Sequence, residues 1–262
     1  MKSILKITAL FLLIGFSACK KEKKDPDPEP ETPAATTGVL KVEFEHMVYD
    51  TINLAFNQKY VNAKGDTFTV TKLKYYISNI VITKNDNSTF TESNSYHLID
   101  LADPATTLLS IANVPFDSYK SISFTLGVDS AANCSGAQAG DLAQSKGMFW
   151  TWNSGYIMFK LEGTAPKSPA PNHVIEYHIG GFGGANKVQR NFNFNFASTP
   201  ANVSSSITPQ IHLTVNISEL FEHPNLIDVT QTGQYSQLTA GAGSKLFADN
   251  YADMISFEHV HN

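Results

Sequence analysis

Leu40-Lys-Val-Glu-Phe-Glu-His-Met-Val48 sets Leu40, Val42, Phe44, His46 and Val48 on one parity and Lys41, Glu43 and Glu45 on the other. Successive side chains of an extended chain leave opposite faces, so the stretch reads as a strand with one buried and one solvated face. The same period of two returns at Ile122, Phe124, Leu126 and Val128, at Ile157, Phe159 and Leu161, at Phe192, Phe194 and Phe196, and at Ile211, Leu213, Val215 and Ile217. Turn chemistry separates these runs at Lys64-Gly-Asp66, Asn85-Asp-Asn-Ser88 and Pro166-Lys-Ser-Pro-Ala-Pro171. Helical signals are minor: Ser218–His223 reads as one turn stopped by Pro224, and Asp249–Ile255 as another. The pattern predicts an all-β protein, an antiparallel β-sandwich with minor short helices. About 225 residues, from 37 to 262, suit one such domain better than two.

The N-terminus reads as a targeting segment. Lys2 and Lys6 precede the apolar run Ile7–Phe16, which is too short to span a bilayer as a helix. Phe16-Ser-Ala-Cys19 resembles a bacterial lipobox, with Phe16 in place of the commoner leucine. The expected organisation is a lipoprotein signal peptide over 1–18, then a lipidated Cys19 with a charged, proline-rich tether over 19–36. The domain then occupies 37–262. Charge and proline alternate in the tether and leave nothing apolar to bury, so it stays extended. The expected address is the cell envelope, on the outer membrane through the lipid anchor. The formal charge of −5 becomes −7 when Lys2 and Lys6 leave with the leader. An acidic chain without a basic stripe is a poor nucleic-acid binder, so no such partner is expected.

With Cys19 carrying lipid, Cys134 is the one remaining cysteine, which leaves no intramolecular disulfide and no Cys-x-x-Cys site. Gly-x-Ser-x-Gly, Walker and His-Glu-x-x-His patterns are absent, and no nucleophile–base pair stands out, so an enzyme is not expected. Gly180-Gly-Phe-Gly-Gly184 reads as a tight corner, since no helix start follows it. Asp129, Asn133 and Asp141 lack the dense spacing of a calcium loop. Both tryptophans stand together in Trp150-Thr-Trp152, on one face of an extended segment framed by Gly147 and Gly155. They can be core packing, a stacking platform or an oxidisable pair.

The eight histidines are more selective. His46 lies on the inward parity near the end of its strand. His178 lies just before the glycine corner, on the parity opposite Ile175, Tyr177 and Ile179. His259 and His261, two residues apart on extended chain, share a face and can chelate one ion; neutral imidazoles suit copper, zinc or nickel. His97 reads as structural. His212, on the polar face of its strand with Thr214, is set aside as a ligand, as are His173 and His223 near prolines.

Several blocks together resemble the MbnP-like copper-binding proteins. They are Thr69-Val-Thr-Lys-Leu-Lys-Tyr-Tyr-Ile-Ser-Asn-Ile80, Phe124-Thr-Leu-Gly-Val-Asp129, Ser135-Gly-Ala-Gln138, Gly147-Met-Phe-Trp-Thr-Trp-Asn-Ser-Gly-Tyr156, Tyr177-His-Ile-Gly-Gly-Phe182 and the closing Asp249-Asn-Tyr-Ala-Asp-Met254 with His259-Val-His261. The resemblance runs over about residues 38–262. It implies a periplasmic or lipoprotein β-domain that binds copper. In some members a tryptophan is oxidised to kynurenine by a di-haem enzyme of the cytochrome c peroxidase/MauG type. Carried onto this chain, Trp152, ahead of Trp150, is the residue to be modified, and His46, His178, His259 and His261 are the candidate metal ligands. The competing reading is a glycan-binding or adhesion surface lipoprotein in which Trp150, Trp152 and Tyr156 stack on sugar rings.

Overall fold

The computed structural model describes residues 35–136, 138–151 and 154–262. Its strands begin with β1 (Thr37–Val48), β2 (Ile52–Asn53), β3 (Lys59–Val61), β4 (Thr67–Lys84), β5 (Thr89–Thr91) and β6 (Tyr96–Asp100). They continue through β7 (Leu108–Pro115), β8 (Asp117–Leu126), β9 (Phe149–Thr151), β10 (Gly155–Thr164) and β11 (Val174–Gly180). The chain closes through β12 (Arg190–Asn195), β13 (Ala201–Val203), β14 (Gln210–Asn216), β15 (Ser236–Gln237) and β16 (Ile255–His261). Among the described residues, two short α-helices interrupt them, α1 (Ser130–Cys134) and α2 (Ala242–Asn250).

Two sheets face each other. The smaller runs β16-β14-β1-β2, with β7 also on β1; the larger runs β12-β8-β4-β10-β11-β15 and carries the remaining short strands. The expected alternation is present: Leu40, Val42, Phe44 and Val48 are buried, whereas Lys41, Glu43 and Glu45 are not. Aromatic rings knit the two layers, with Phe44 edge-on to Tyr75 at 6.3 Å and to Phe124 at 5.8 Å. Such pairs add about 1 kcal/mol each beyond the area they bury. β4 is the spine of the larger sheet, pairing with both β10 and β8.

Two features depart from the sequence expectation. The sheets are not wholly antiparallel: β1 pairs β14 in parallel, and β11 pairs β15 in parallel. Turn residues govern neighbours along the chain, but β1 and β14 are joined only through most of the domain, so no hairpin dictates their direction. The C-terminal helix spans Ala242–Asn250 and so starts before the expected Asp249–Ile255; Ile255 opens β16 instead. Gly241 and Gly243 mask this helix in sequence. Its buried Phe247 lies 4.4 Å from Tyr177 and anchors the helix on β11.

A second apolar cluster lies outside the sandwich core. On β4, Tyr75 belongs to the main core while its neighbour Tyr76 faces the opposite way, into this cluster with Leu98, Tyr156 and Ile157. The excursion between β8 and β10 covers them with Val128, Ala132, Leu142 and Met148. The Tyr76 and Tyr156 hydroxyls donate to the carbonyls of Asp141 and Leu142 at 3.0 and 2.8 Å. Lys160 Nζ donates to the Gly147 carbonyl at 2.6 Å. This lid positions β9, and with it Trp150.

Candidate metal centre

The outer face of the smaller sheet gathers three imidazoles. β14 pairs β16 with His212 opposite His259 and Gln210 opposite His261, but Leu213 stands opposite Phe257, so Glu258 is an extra residue in β16. This bulge resets the parity of the strand. Phe257 turns inward and stacks on Phe196 at 5.5 Å. His259 and His261 turn outward to meet His212. Without the extra residue, strict alternation would send His259 to the same face as Phe257. Ring centroids are 4.2 Å apart for His212–His259, 4.9 Å for His259–His261 and 5.3 Å for His212–His261.

One ring nitrogen from each of the three lies within 4.8 Å of the others. Nitrogens bound to one tetrahedral ion at ~2.1 Å stand roughly 3.4 Å apart, so modest side-chain rotation closes the set. His212 and His259 are half-buried and His261 is exposed. Burial is the largest influence on His212 and pushes its pKa below 6.5; Glu43 opposes that shift, and the neighbouring His259 and His261 reinforce it. The neutral form that a metal requires is therefore favoured. The residues fit a borderline metal ion with nitrogen preference.

His46 does not join them. It lies on the other face of β1, 6% exposed, and its Nε2 shares a hydrogen bond with the Tyr75 hydroxyl at 3.0 Å. Burial lowers its pKa from 6.5 to about 4. Between those two values the unfolded chain binds a proton that the native chain refuses, so stability falls as pH drops through this window and is unaffected above it. The loss amounts to on the order of 3 kcal/mol. We expect His46→Gln to flatten the dependence of the urea midpoint on pH between 7 and 4, on the scale of that shift. Identical slopes for both proteins would assign the acid sensitivity elsewhere.

His178 stands on the larger sheet. Its Nε2 is 2.9 Å from Glu162 Oε1, and the other oxygen of Glu162 takes Lys72 Nζ at 2.6 Å. Burial lowers the His178 pKa first, with Glu162 working against that shift. Two residues on, Gly180 supports Trp150: a Cβ at Gly180 would come within 2.5 Å of Trp150 Cζ3. Positions 178 and 180 share a face of β11, so Trp150 and His178 occupy the same side of the sheet end. Half-buried Trp150 also borders an open groove of about 720 Å³ with Phe182, Asn186, Leu238 and Thr239. Tyr156 is no part of an exposed platform. It is 1% exposed and packs edge-on against Tyr76 and Phe149. Trp152 and Cys19 lie outside the described residues.

The acidic loop residues are engaged locally. Asp129 caps α1 through the Ala132 amide at 2.9 Å and accepts from Tyr96 at 2.7 Å. Asn133 accepts from the Tyr156 amide, and Asp141 from the Leu98 amide, both at 2.9 Å. Sequence reasoning missed His212. The signal was its outward parity, shared with Glu43 and Gln210, but nothing local announced which strands would lie beside it.

Fold and donor set together define an all-β sandwich that presents convergent imidazoles on a solvent-facing sheet. The chain belongs to the MbnP family, whose profile matches residues 37–239. That match includes His46, Trp150, His178 and His212 and ends before His259 and His261. The solved structure of MbnP from Methylosinus trichosporium is similar, with a TM-score of 0.59 over 85% of this chain and 99% of that one, at 14% identity. This likeness concerns the fold. A comparison with curated proteins finds no match.

Proposed function

We propose that this protein is a copper-binding lipoprotein of the cell envelope that captures the metal and hands it on, and is not itself an enzyme. The observation that carries the reading is the His212–His259–His261 cluster, whose ring nitrogens converge within 4.8 Å. Three neutral imidazoles favour copper over the harder cations, and copper leads the divalent affinity order for such donors. Membership of the MbnP family supports the same metal. Three protein ligands facing solvent leave a coordination position open, which suits exchange better than permanent structural binding.

The anchor is Cys19, with the 19–36 tether holding the domain off an outer-membrane surface. The partner is a di-haem cytochrome c peroxidase/MauG-like enzyme that oxidises a tryptophan of the Trp150-Thr-Trp152 segment to kynurenine. Ring opening replaces a donor-only indole N–H with a ketone and an arylamine. His178 lies on the same side of the sheet end as Trp150, two residues before the Gly180 on which that ring rests.

Copper titration of the wild-type protein and of the three single histidine-to-alanine variants tests the metal site. Mass spectrometry of the Met148–Lys160 peptide from native cells tests the modification. We expect the mass increment of kynurenine on one tryptophan; unaltered tryptophan in both positions removes the di-haem partner from this reading.

A further inference from the structure

Resting on that reading of the cluster, we infer that Gln210 caps the metal-binding nitrogen of His212 in the metal-free protein, and that Glu43 holds both side chains in place. Loading the site therefore requires the Gln210 amide to be displaced.

The three residues come together because β14 lies between β1 and β16. Glu43 is the parallel-register partner of His212, and Gln210 is two residues before His212 on the same face. Gln210 Nε2 donates to Glu43 Oε2 at 2.7 Å and lies 3.1 Å from His212 Nε2. An amide nitrogen donates two hydrogens and accepts none. The reversed amide would set its carbonyl oxygen against the carboxylate, so charge repulsion orients the nitrogen toward Glu43. His212 Nε2 must then be the acceptor of the second hydrogen.

A neutral imidazole with a bare Nε2 carries its proton on Nδ1. His212 Nδ1 lies 2.9 Å from the same Glu43 oxygen. Glu43 Oε2 thus holds the capping amide by a hydrogen bond and sets its negative charge beside Nδ1, which favours the proton on that nitrogen. A carboxylate behind a metal-binding histidine selects the tautomer and the ring orientation and raises ligand basicity. Here the selected tautomer offers Nε2 to the metal. Glu43 is accordingly a positioning residue, and Gln210 is a displaceable lid on one ligand. The edge-strand pair His259 and His261 forms the entry half of the site, and His212 completes it once the amide has moved.

Long-range nitrogen–proton NMR on the metal-free protein is the first test. We expect His212 to be protonated on Nδ1 and bare on Nε2; the opposite tautomer overturns the assignment. The second test is stopped-flow and equilibrium titration with Cu²⁺ and with Zn²⁺. Gln210→Met, which keeps length without a donor, and Gln210→Ala should each bind several-fold faster and tighter. Glu43→Ala should bind about 10- to 100-fold more weakly. Wild-type rates and affinities in both Gln210 variants would rule out the cap, and unchanged affinity in Glu43→Ala would rule out the positioning role. A carboxylate oxygen in the first coordination shell by X-ray absorption would make Glu43 a ligand and also overturn it. Unaltered binding in His259→Ala and His261→Ala would instead defeat the metal site itself, while the tautomer measurement still stands.

Discussion

Alanine in place of His212, His259 or His261 lowers copper affinity by more than about 100-fold for each single change, since even outer-shell partners of a metal ligand are worth 10- to 100-fold. Competition titration against a chelator of known affinity at pH 7.5 measures this. The triple variant retains no binding at this site. His46→Ala and His178→Ala serve as internal controls for the cluster, because His46 faces the core beside Tyr75 and His178 is paired with Glu162 on the other sheet. Equal losses in all five positions would mean that unfolding, not ligation, is being read. Full affinity in the three cluster variants would remove the site.

The cluster also predicts a direction with pH. Metal binding competes with protons for the imidazole nitrogens, so copper affinity is expected to fall as the pH drops. Because burial lowers the His212 pKa, this ring stays available at lower pH than an ordinary histidine would. A metal held by His212, His259 and His261 would also join β14 to β16, the C-terminal edge strand. Copper at 100 times its dissociation constant therefore stabilises the fold by about 2.7 kcal/mol, readable as a higher melting temperature.

The second large effect is structural. Gly163→Ala destabilises the domain by about 3 kcal/mol or more, because a Cβ there would overlap the backbone carbonyl of Thr69 on the adjoining strand. Gly163 sits at the register shift between β10 and β4, where Val70 and Thr69 pair with Gly163 and Thr164. These are the two central strands of the larger sheet, and neither can retreat without losing ladder hydrogen bonds. For a domain of this size the expected loss of melting temperature is roughly 10 °C by circular dichroism. A melting point within about 2 °C of wild type would mean that the strands part there more cheaply than this packing allows.

Much of this fold is legible in the chain because alternation is a local property. Leu40, Val42 and Phe44 report a buried face on their own, as do Ile211, Leu213 and Val215, and the core contains all six. The inward parity of His46 is equally plain, but not its consequence: whether an inward histidine meets a metal or a tyrosine depends on what the opposite sheet presents. Here it is Tyr75. The tryptophan segment likewise marks itself by composition, while its seat on Gly180 depends on a lid folded over the outside of a sheet.

By itself, then, the sequence determined the all-β class, the faces of the principal strands, and the pairing of His259 with His261 as two imidazoles on one side of extended chain. Only the tertiary structure decided where that pair looks and what it meets. The bulge at Glu258 turns it outward, and the β14–β16 register puts His212 directly opposite. The parallel β1–β14 register then brings Glu43 alongside. The reason is physical: side-chain parity follows from backbone geometry within a few residues, whereas strand partnership and bulges are settled by packing among segments far apart in the chain.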